Sequence, residues 1–458
     1  MKKFDLIIIG AGRASNLAAS AGKKGKKIAI IEKSALGGTC SNRGCTPSKL
    51  LIGYAHVANA IKESSRHFID SKINNIDTKE IFKQTNEFIS EIDQMYKNKF
   101  NENVEVFRGE GSFVSNNIVK VNNEQLTAPL IVIATGTKPK EPEHEKAWTS
   151  DDIFPLEGKI PKSITIVGAG FIACELAGFF SAVGIKTKLL VRSENILNKE
   201  DEEISEIFKE QFSKKVDIEF NTTIKTIDYK NNQFDLILEN KDGTNKKHNC
   251  DAVLYAIGRE SNSPSLKLEN TSIKTDKRGF IQKNEFFETD AKGVYVVGDA
   301  TGEYMLQHAA AYEINHLGKV LFEDCKDPLK FKYMPHAVFT DPEIASVGIT
   351  EQEAKEKNLE YIATTTNWLA SSKAMSTKLK YPVTKFIINP KNYEILGCHM
   401  IGPESSTMIH QVLTIMHIDN DIRHLKEMLY IHPALSESLL SAAVKTIKEI
   451  EKYNLEKE

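Results

Sequence analysis

Two cysteines, Cys40 and Cys45, stand in the stretch Gly37 to Lys49, GGTCSNRGCTPSK, beside a glycine pair and just ahead of a proline and a lysine. Thiols so spaced admit three chemistries: metal ligation, a structural cross-link, or a dithiol that opens and closes in a two-electron exchange. A zinc site needs about four ligands, commonly from C-x2-C pairs. Here the spacing is C-x4-C with no second pair to complete a site, so no metal is expected. Residues five apart in a regular helix have Cα atoms about 8.6 Å apart, beyond the ~7 Å reach of a disulfide. If Cys40 and Cys45 do bond, the helix must be distorted there, and Gly44 and Pro47 are residues that permit or mark distortion. A strained, accessible disulfide is a labile oxidant. Two unrelated buried thiols are the competing reading of the pair taken alone.

Two glycine-rich segments suggest what a dithiol would exchange electrons with. FDLIIIGAGRAS, ending at Ser15, and SITIVGAGFIACE, Ser163 to Glu175, both read as a buried strand, a glycine turn and a helix. In the first, Gly10 allows the tight turn, and Gly12 lets backbone amides approach a pyrophosphate favoured at a helix N-terminus. Glu32, 22 residues after Gly10, ends a second strand with Lys33 and is placed to hydrogen-bond a ribose diol. Ser15 replaces the third glycine and is small enough for close helix packing. The second unit has Gly168, Gly170 and Ala173, then Arg192 where an acid would select NAD. An arginine there pairs with the 2'-phosphate of NADP, or is a solvated strand-end charge.

These motifs need a large scaffold, and 458 residues supply two to four domains. Lysine plus arginine (60) nearly balance aspartate plus glutamate (62), which gives no footprint for nucleic acid or an anionic membrane. The apolar run Leu6 to Ile9 is too short for a secretion signal, and no stretch approaches the ~18 residues of a membrane span. A cytoplasmic protein is expected. Cys174, Cys250, Cys325 and Cys398 are scattered and form no secreted disulfide framework.

The expected fold is α/β. Two Rossmann-like dinucleotide-binding domains are followed by a C-terminal α+β domain. The boundaries are 1–145 for the first unit, 146–265 for the second, 266–333 for a return to the first, and 334–458 for the last. A helix is predicted over Lys79 to Phe100, with Ile81, Phe88, Ile92, Met95 and Tyr96 at helical spacing. The strand in PLIVIATGTKP, Pro129 to Pro139, closes the first unit, and DAVLYAIGRESN, Asp251 to Asn262, closes the second. GVYVVGDAT, Gly293 to Thr301, precedes a helix beginning near Met305.

GGTCSNRGCTPSK resembles the active-site signature of the flavin-dependent pyridine nucleotide-disulfide oxidoreductases, the family of dihydrolipoamide, glutathione, mycothione and mercuric enzymes. The likeness covers essentially the whole chain, in the family's order. It implies that the first glycine unit binds the ADP half of FAD. Gly38, Thr39, Gly111, Thr135, Gly136 and Thr137 match further FAD contacts. Asp299, in VVGDA, matches a contact to the ribityl or phosphate region, and Gly258 falls in the same nucleotide-contacting set. Met305, Leu306, Gln307 and His308 match the segment that follows. The resemblance makes Cys45 the thiolate over the flavin and Cys40 the thiol that exchanges with substrate. Lys49 and Glu175 match a buried ion pair near flavin N5.

YIHPALSESLL is similar to the family's His-Pro motif. A free thiol titrates at about 8.5 and needs a base at neutral pH. His432 suits that role, Pro433 suits the first turn of a helix, and Glu437 lies within reach to orient the imidazole. In the family this dyad comes from the partner subunit, so a homodimer sharing its active site across the interface is implied. Arg43, Thr46 and Ser261 depart from the usual pattern, and Arg43 is expected to favour a thiolate. The resemblance points first to dihydrolipoamide oxidation with NAD on a lipoyl domain. Arg192 and Lys199 support an NADPH-dependent reductase of a small disulfide instead.

Overall fold

The computed structural model describes residues 1–156 and 158–457. Its centre is a five-stranded parallel sheet in the spatial order Val294–Val296, Leu130–Ile133, Leu6–Ile9, Ile28–Glu32, Val104–Arg108. Leu6–Ile9 and Ile28–Glu32 are buried throughout, as their unbroken apolar runs require of strands covered on both faces. Val294–Val296 belongs to this sheet although 160 residues of sequence separate it from Leu130–Ile133. The intervening chain forms a second five-stranded parallel sheet, Trp148–Thr149, Ala252–Tyr255, Ser163–Val167, Lys186–Leu190, Asp217–Glu219.

An antiparallel meander, Thr222–Lys230, Gln233–Asn240 and Asn245–Cys250, packs on the second sheet. The last third holds a five-stranded antiparallel sheet, His336–Val338, Ile344–Gly348, Ile395–Ile401, Val383–Ile388, Ile362–Asn367. The 21-residue helix Glu437–Lys457 covers it, burying Leu439, Ala442, Ala443, Ile447 and Ile450. No helix among the described residues is long and apolar enough to cross a membrane.

Several expectations shift by a few residues or more. The helix predicted from Lys79 spans Thr78–Lys97, capped by Asp77, whose carboxylate accepts from the Glu80 amide. Ile81, Ile92 and Tyr96 face the core together with Phe82, Thr85 and Ile89, but Phe88 and Met95 are exposed. The helix expected near Met305 begins at Gln307. The strand expected to end at Arg192 ends at Leu190, which leaves Arg192 in the loop beyond it. Pro433 does not open a helix. It lies in the turn ahead of Glu437–Lys457, because Glu437 itself supplies the first helical position.

Candidate active site

The cysteines lie on either side of a break between two helices. Gly38–Arg43 ends at Gly44 (φ −140°, ψ −113°), and a new helix starts at once with Cys45 and runs to Lys62. The separation that a regular helix would impose is thereby removed. Both thiols are free, and the Cys40 thiol donates to the Cys45 sulfur. Pro47 is buried in the first turn of the second helix, where its missing N–H costs nothing. The first helix is anchored from behind. Asn42 Nδ2 donates to Leu36 O (2.9 Å) and Gly38 O (3.0 Å), and the Leu36 amide donates to Asp93 Oδ1 (2.7 Å).

The two sulfurs are electrostatically unequal. The hydrogen bond from Cys40 brings Cys45 down to about 7, and the Lys49 ammonium one turn away acts in the same direction, against partial desolvation by the surrounding chain and the Glu175 charge. Donating that bond and being half-buried push the Cys40 thiol up. The pair is therefore set as thiolate at Cys45 and thiol at Cys40. Arg43, expected to favour a thiolate, is drawn elsewhere, and its guanidinium lies 3.6 Å from Asp151. The cation acting on Cys40 is Arg13, which stands between Gly12 and Ser15 in the first glycine turn and carries no signal of that role in the sequence.

Lys49 Nζ meets Glu175 Oε2 at 2.6 Å, and Glu175 Oε1 accepts from the Phe339 amide at 3.0 Å. The ammonium also sits 4.6 Å from the centroid of the Phe339 ring. Glu175 is buried and joins the cysteine helix, the helix after the second glycine turn, and the C-terminal sheet domain at one point.

The two glycine turns repeat each other in space. Gly10 has φ +102°, and a Cβ there would lie 2.3 Å from Ala134 O; Gly168 has φ +148°, with Ala256 O at 2.4 Å. Each first glycine is pressed against the carbonyl that follows a neighbouring strand, which no side chain tolerates. Ser15, in the third position of the first turn, is fully buried and folds its hydroxyl back onto Ala11 O (2.8 Å). Ala173, in the corresponding place, lies with its Cβ 3.2 Å from where one on Gly168 would be.

Glu32 accepts from the Ala11 amide through one oxygen (2.7 Å) and from the Ser34 amide through the other (2.8 Å), so it also braces the glycine turn. Glu32, Lys33, Gly10, Gly111 and Thr135 line one cleft of about 370 Å³. Lys33 is exposed and paired with Glu110 at 3.3 Å. Thr135 Oγ1 is buried with no partner, an acceptor-donor waiting in a cleft whose rim is glycine backbone. This set fits a dinucleotide. Near Gly136 (φ +63°), Thr137 Oγ1 donates to Asp299 Oδ2 (3.2 Å) and accepts from Arg259 Nε (2.8 Å), next to Gly258 (φ +117°). Burial raises Asp299, with Arg259 opposing. Met305 and Leu306 precede the Gln307 helix, and His308 Nε2 bonds Pro335 O at 2.9 Å. Thr39 is exposed, as are Arg192 and Lys199.

At the chain's end, His432 Nδ1 bonds Glu437 Oε1 at 2.8 Å, and Glu437 Oε2 accepts from the Ala434 amide at 2.8 Å. These bonds depress the Glu437 carboxyl. The imidazole is 72% exposed. Leu429 (99%) and Ile431 (80%) beside it are more exposed still, an apolar strip of the kind that marks an interface.

Two dinucleotide folds meeting at a dithiol define a nicotinamide-linked redox flavoprotein. The profile described as "Pyridine nucleotide-disulphide oxidoreductase" matches residues 4–313, and that of the family's dimerisation domain matches 334–443. The chain belongs to this family of FAD-dependent disulfide oxidoreductases. It is 31% identical to a dihydrolipoyl dehydrogenase of Chlamydia pneumoniae over 95% of each chain. It is 29% identical to a glutathione reductase of Burkholderia cepacia over 96% of this chain and 98% of the other. The HOCl-induced flavoprotein disulfide reductase RclA of Escherichia coli, in a Cu(II) complex, superposes with a TM-score of 0.86 at 25% identity, covering 97% of this chain and all of that one.

Proposed function

We propose that the chain moves electron pairs between a nicotinamide coenzyme and a disulfide or dithiol substrate, with Cys45 facing the flavin and Cys40 facing the substrate. The observation that carries this reading is the helix break at Gly44, which pairs the two sulfurs, combined with the Lys49–Glu175 bond that ties them to the second nucleotide unit. FAD, when bound, relays two electrons between nicotinamide and dithiol. Gly10, Gly12, Gly38 and Thr135 would hold it, with Asp299 and the Met305 to His308 segment at its other end. Lys49 and the Cys40 thiol favour the thiolate at Cys45. Cys40 keeps its proton until a base takes it, and that base is His432 of the partner subunit, oriented as His432 and Glu437 are oriented here. The exposed Leu429 and Ile431 strip supports the homodimer that this requires.

The names of several relatives favour dihydrolipoyl groups as substrate. Arg192 favours a second reading, NADPH with a small disulfide, because it is exposed and, among the described residues, makes no ion pair. Anaerobic mixing of the purified protein with NADH and separately with NADPH, followed by stopped flow, tests both. Flavin reduction with long-wavelength charge-transfer absorbance is expected. Faster NADH reduction favours the dihydrolipoyl reading, and a strong NADPH preference that reverses in Arg192→Glu favours the second. A colourless protein, or flavin that neither coenzyme reduces, overturns the proposal.

A further inference from the structure

Arg13 stands in the first glycine turn, one residue past Gly12, and its charge has no partner among the described residues. Its turn is strapped to the cysteine helix. The Gly37 amide donates to Ala11 O at 2.8 Å, and a Cβ on Gly38 would lie 2.7 Å from the Cα of Gly12. Arg13 thus leaves the backbone beside the segment that reaches Cys40 two residues later, and its charge is felt at the Cys40 thiol.

The side chain is half-buried, its Nε is buried with no hydrogen-bond partner, and among the described residues it makes no ion pair. The other cations near the sulfurs are committed: Lys49 to Glu175 at 2.6 Å, Arg43 to Asp151 at 3.6 Å. A desolvated guanidinium N–H without an acceptor is unfavourable, and the planar fork matches a carboxylate or sulfonate in two-point contact. The position beside the thiol that meets substrate makes the substrate's own acidic group the fitting acceptor.

We propose that Arg13 is a specificity residue that recognises an acidic group on the disulfide substrate as it docks on Cys40, so that the substrate class is an anionic disulfide. The inference rests on the oxidoreductase reading above. In the exchange, Cys40 loses its proton and attacks one substrate sulfur; the substrate S–S bond breaks, and one half leaves as a thiolate. Cys45 then attacks the Cys40 sulfur, closing the protein disulfide and expelling the second half. The proton from Cys40 ends on one of the two products, and the coenzyme supplies the next electron pair. Arg13 would hold the acidic group through both displacements.

The test uses the reduced holoenzyme with two aromatic disulfides, 5,5'-dithiobis(2-nitrobenzoate), with a carboxylate on each ring, and uncharged 2,2'-dithiodipyridine. Steady-state rates and flavin content are measured for the parent, Arg13→Gln and Arg13→Lys. Arg13→Gln is expected to cut kcat/KM for the anionic disulfide about tenfold through KM. The neutral disulfide should lose clearly less, about threefold or under, because Arg13 also bears on the Cys40 thiol; flavin content should be unchanged, and Arg13→Lys should recover part of the loss. Equal loss on both disulfides would overturn the proposal and make Arg13 an activator of the thiol. Flavin loss in both variants would overturn it in favour of a cofactor clamp, and unchanged kinetics would leave it no role. A parent that reduces neither disulfide, although its flavin is reduced by coenzyme, would instead sink the oxidoreductase reading.

Discussion

Replacing Lys49 with methionine should raise the pH at which Cys45 ionises. The parent value of about 7 leaves about half of Cys45 as thiolate at pH 7, against about 3% for a free thiol at about 8.5. Lys49 lies one helical turn from Cys45, roughly 6 Å. At an effective dielectric of about 20, a unit charge at that distance is worth about 2.8 kcal/mol, or about two pH units. Solvent reaches the side chain, which is 33% exposed, and screening reduces the expected rise to about one unit. Glu175 acts on Cys45 in the opposite sense, so Glu175→Gln should lower the midpoint, while Lys49→Arg should hardly move it. The assay is the pH dependence of thiol alkylation in a Cys40→Ser background, where the serine hydroxyl keeps a donor to Cys45. Long-wavelength absorbance of the holoenzyme provides an independent readout. A Lys49→Met midpoint within about 0.2 unit of the parent, or a Glu175→Gln shift upward, would refute the electrostatic account.

The two glycine turns predict separable losses. Gly10→Ala should cost on the order of 2 kcal/mol and deplete bound flavin, whereas Gly168→Ala should keep flavin but slow its reduction by NAD(P)H; flavin-to-protein ratio and stopped flow distinguish them. Leu429→Asp with Ile431→Asp should turn a dimer into monomers by light scattering and abolish turnover, while coenzyme still reduces the flavin. Buried Glu313 binds the Gly298 amide at 2.6 Å through one oxygen and leaves the other without a partner. Burial raises it from 4.5 to about 7. The folded state therefore holds a proton that the unfolded chain has released between those values, so its contribution is complete below pH 4.5 and is lost as pH rises through 7. That loss amounts to about 3 kcal/mol, and Glu313→Gln should flatten the fall in melting temperature between pH 5 and 8 by a corresponding amount. An unaltered pH profile would remove Glu313 as its source.

Local rules made much of this protein legible from its residues. A strand followed by Gly-x-Gly has few other conformations, because a positive φ pressed against a carbonyl excludes any side chain, and the two turns at Gly10 and Gly168 could be paired on that ground. The C-x4-C spacing likewise required a helix break if the two sulfurs were to meet, and Gly44 supplies it. Other features depend on contacts between segments far apart in the chain, which no local pattern encodes. Phe88 and Met95 share the helical spacing of Ile92 and Tyr96, but packing turned them to solvent. Arg43 stands nearest the sulfurs in sequence, yet Asp151, more than a hundred residues away, claims its charge. Arg13 acts on Cys40 only because Gly12 and Gly38 touch across two turns. Residue type and spacing determined which chemistries were available; the tertiary structure decided which charges reach the two sulfurs, since Coulomb energies follow distance in space and not along the chain.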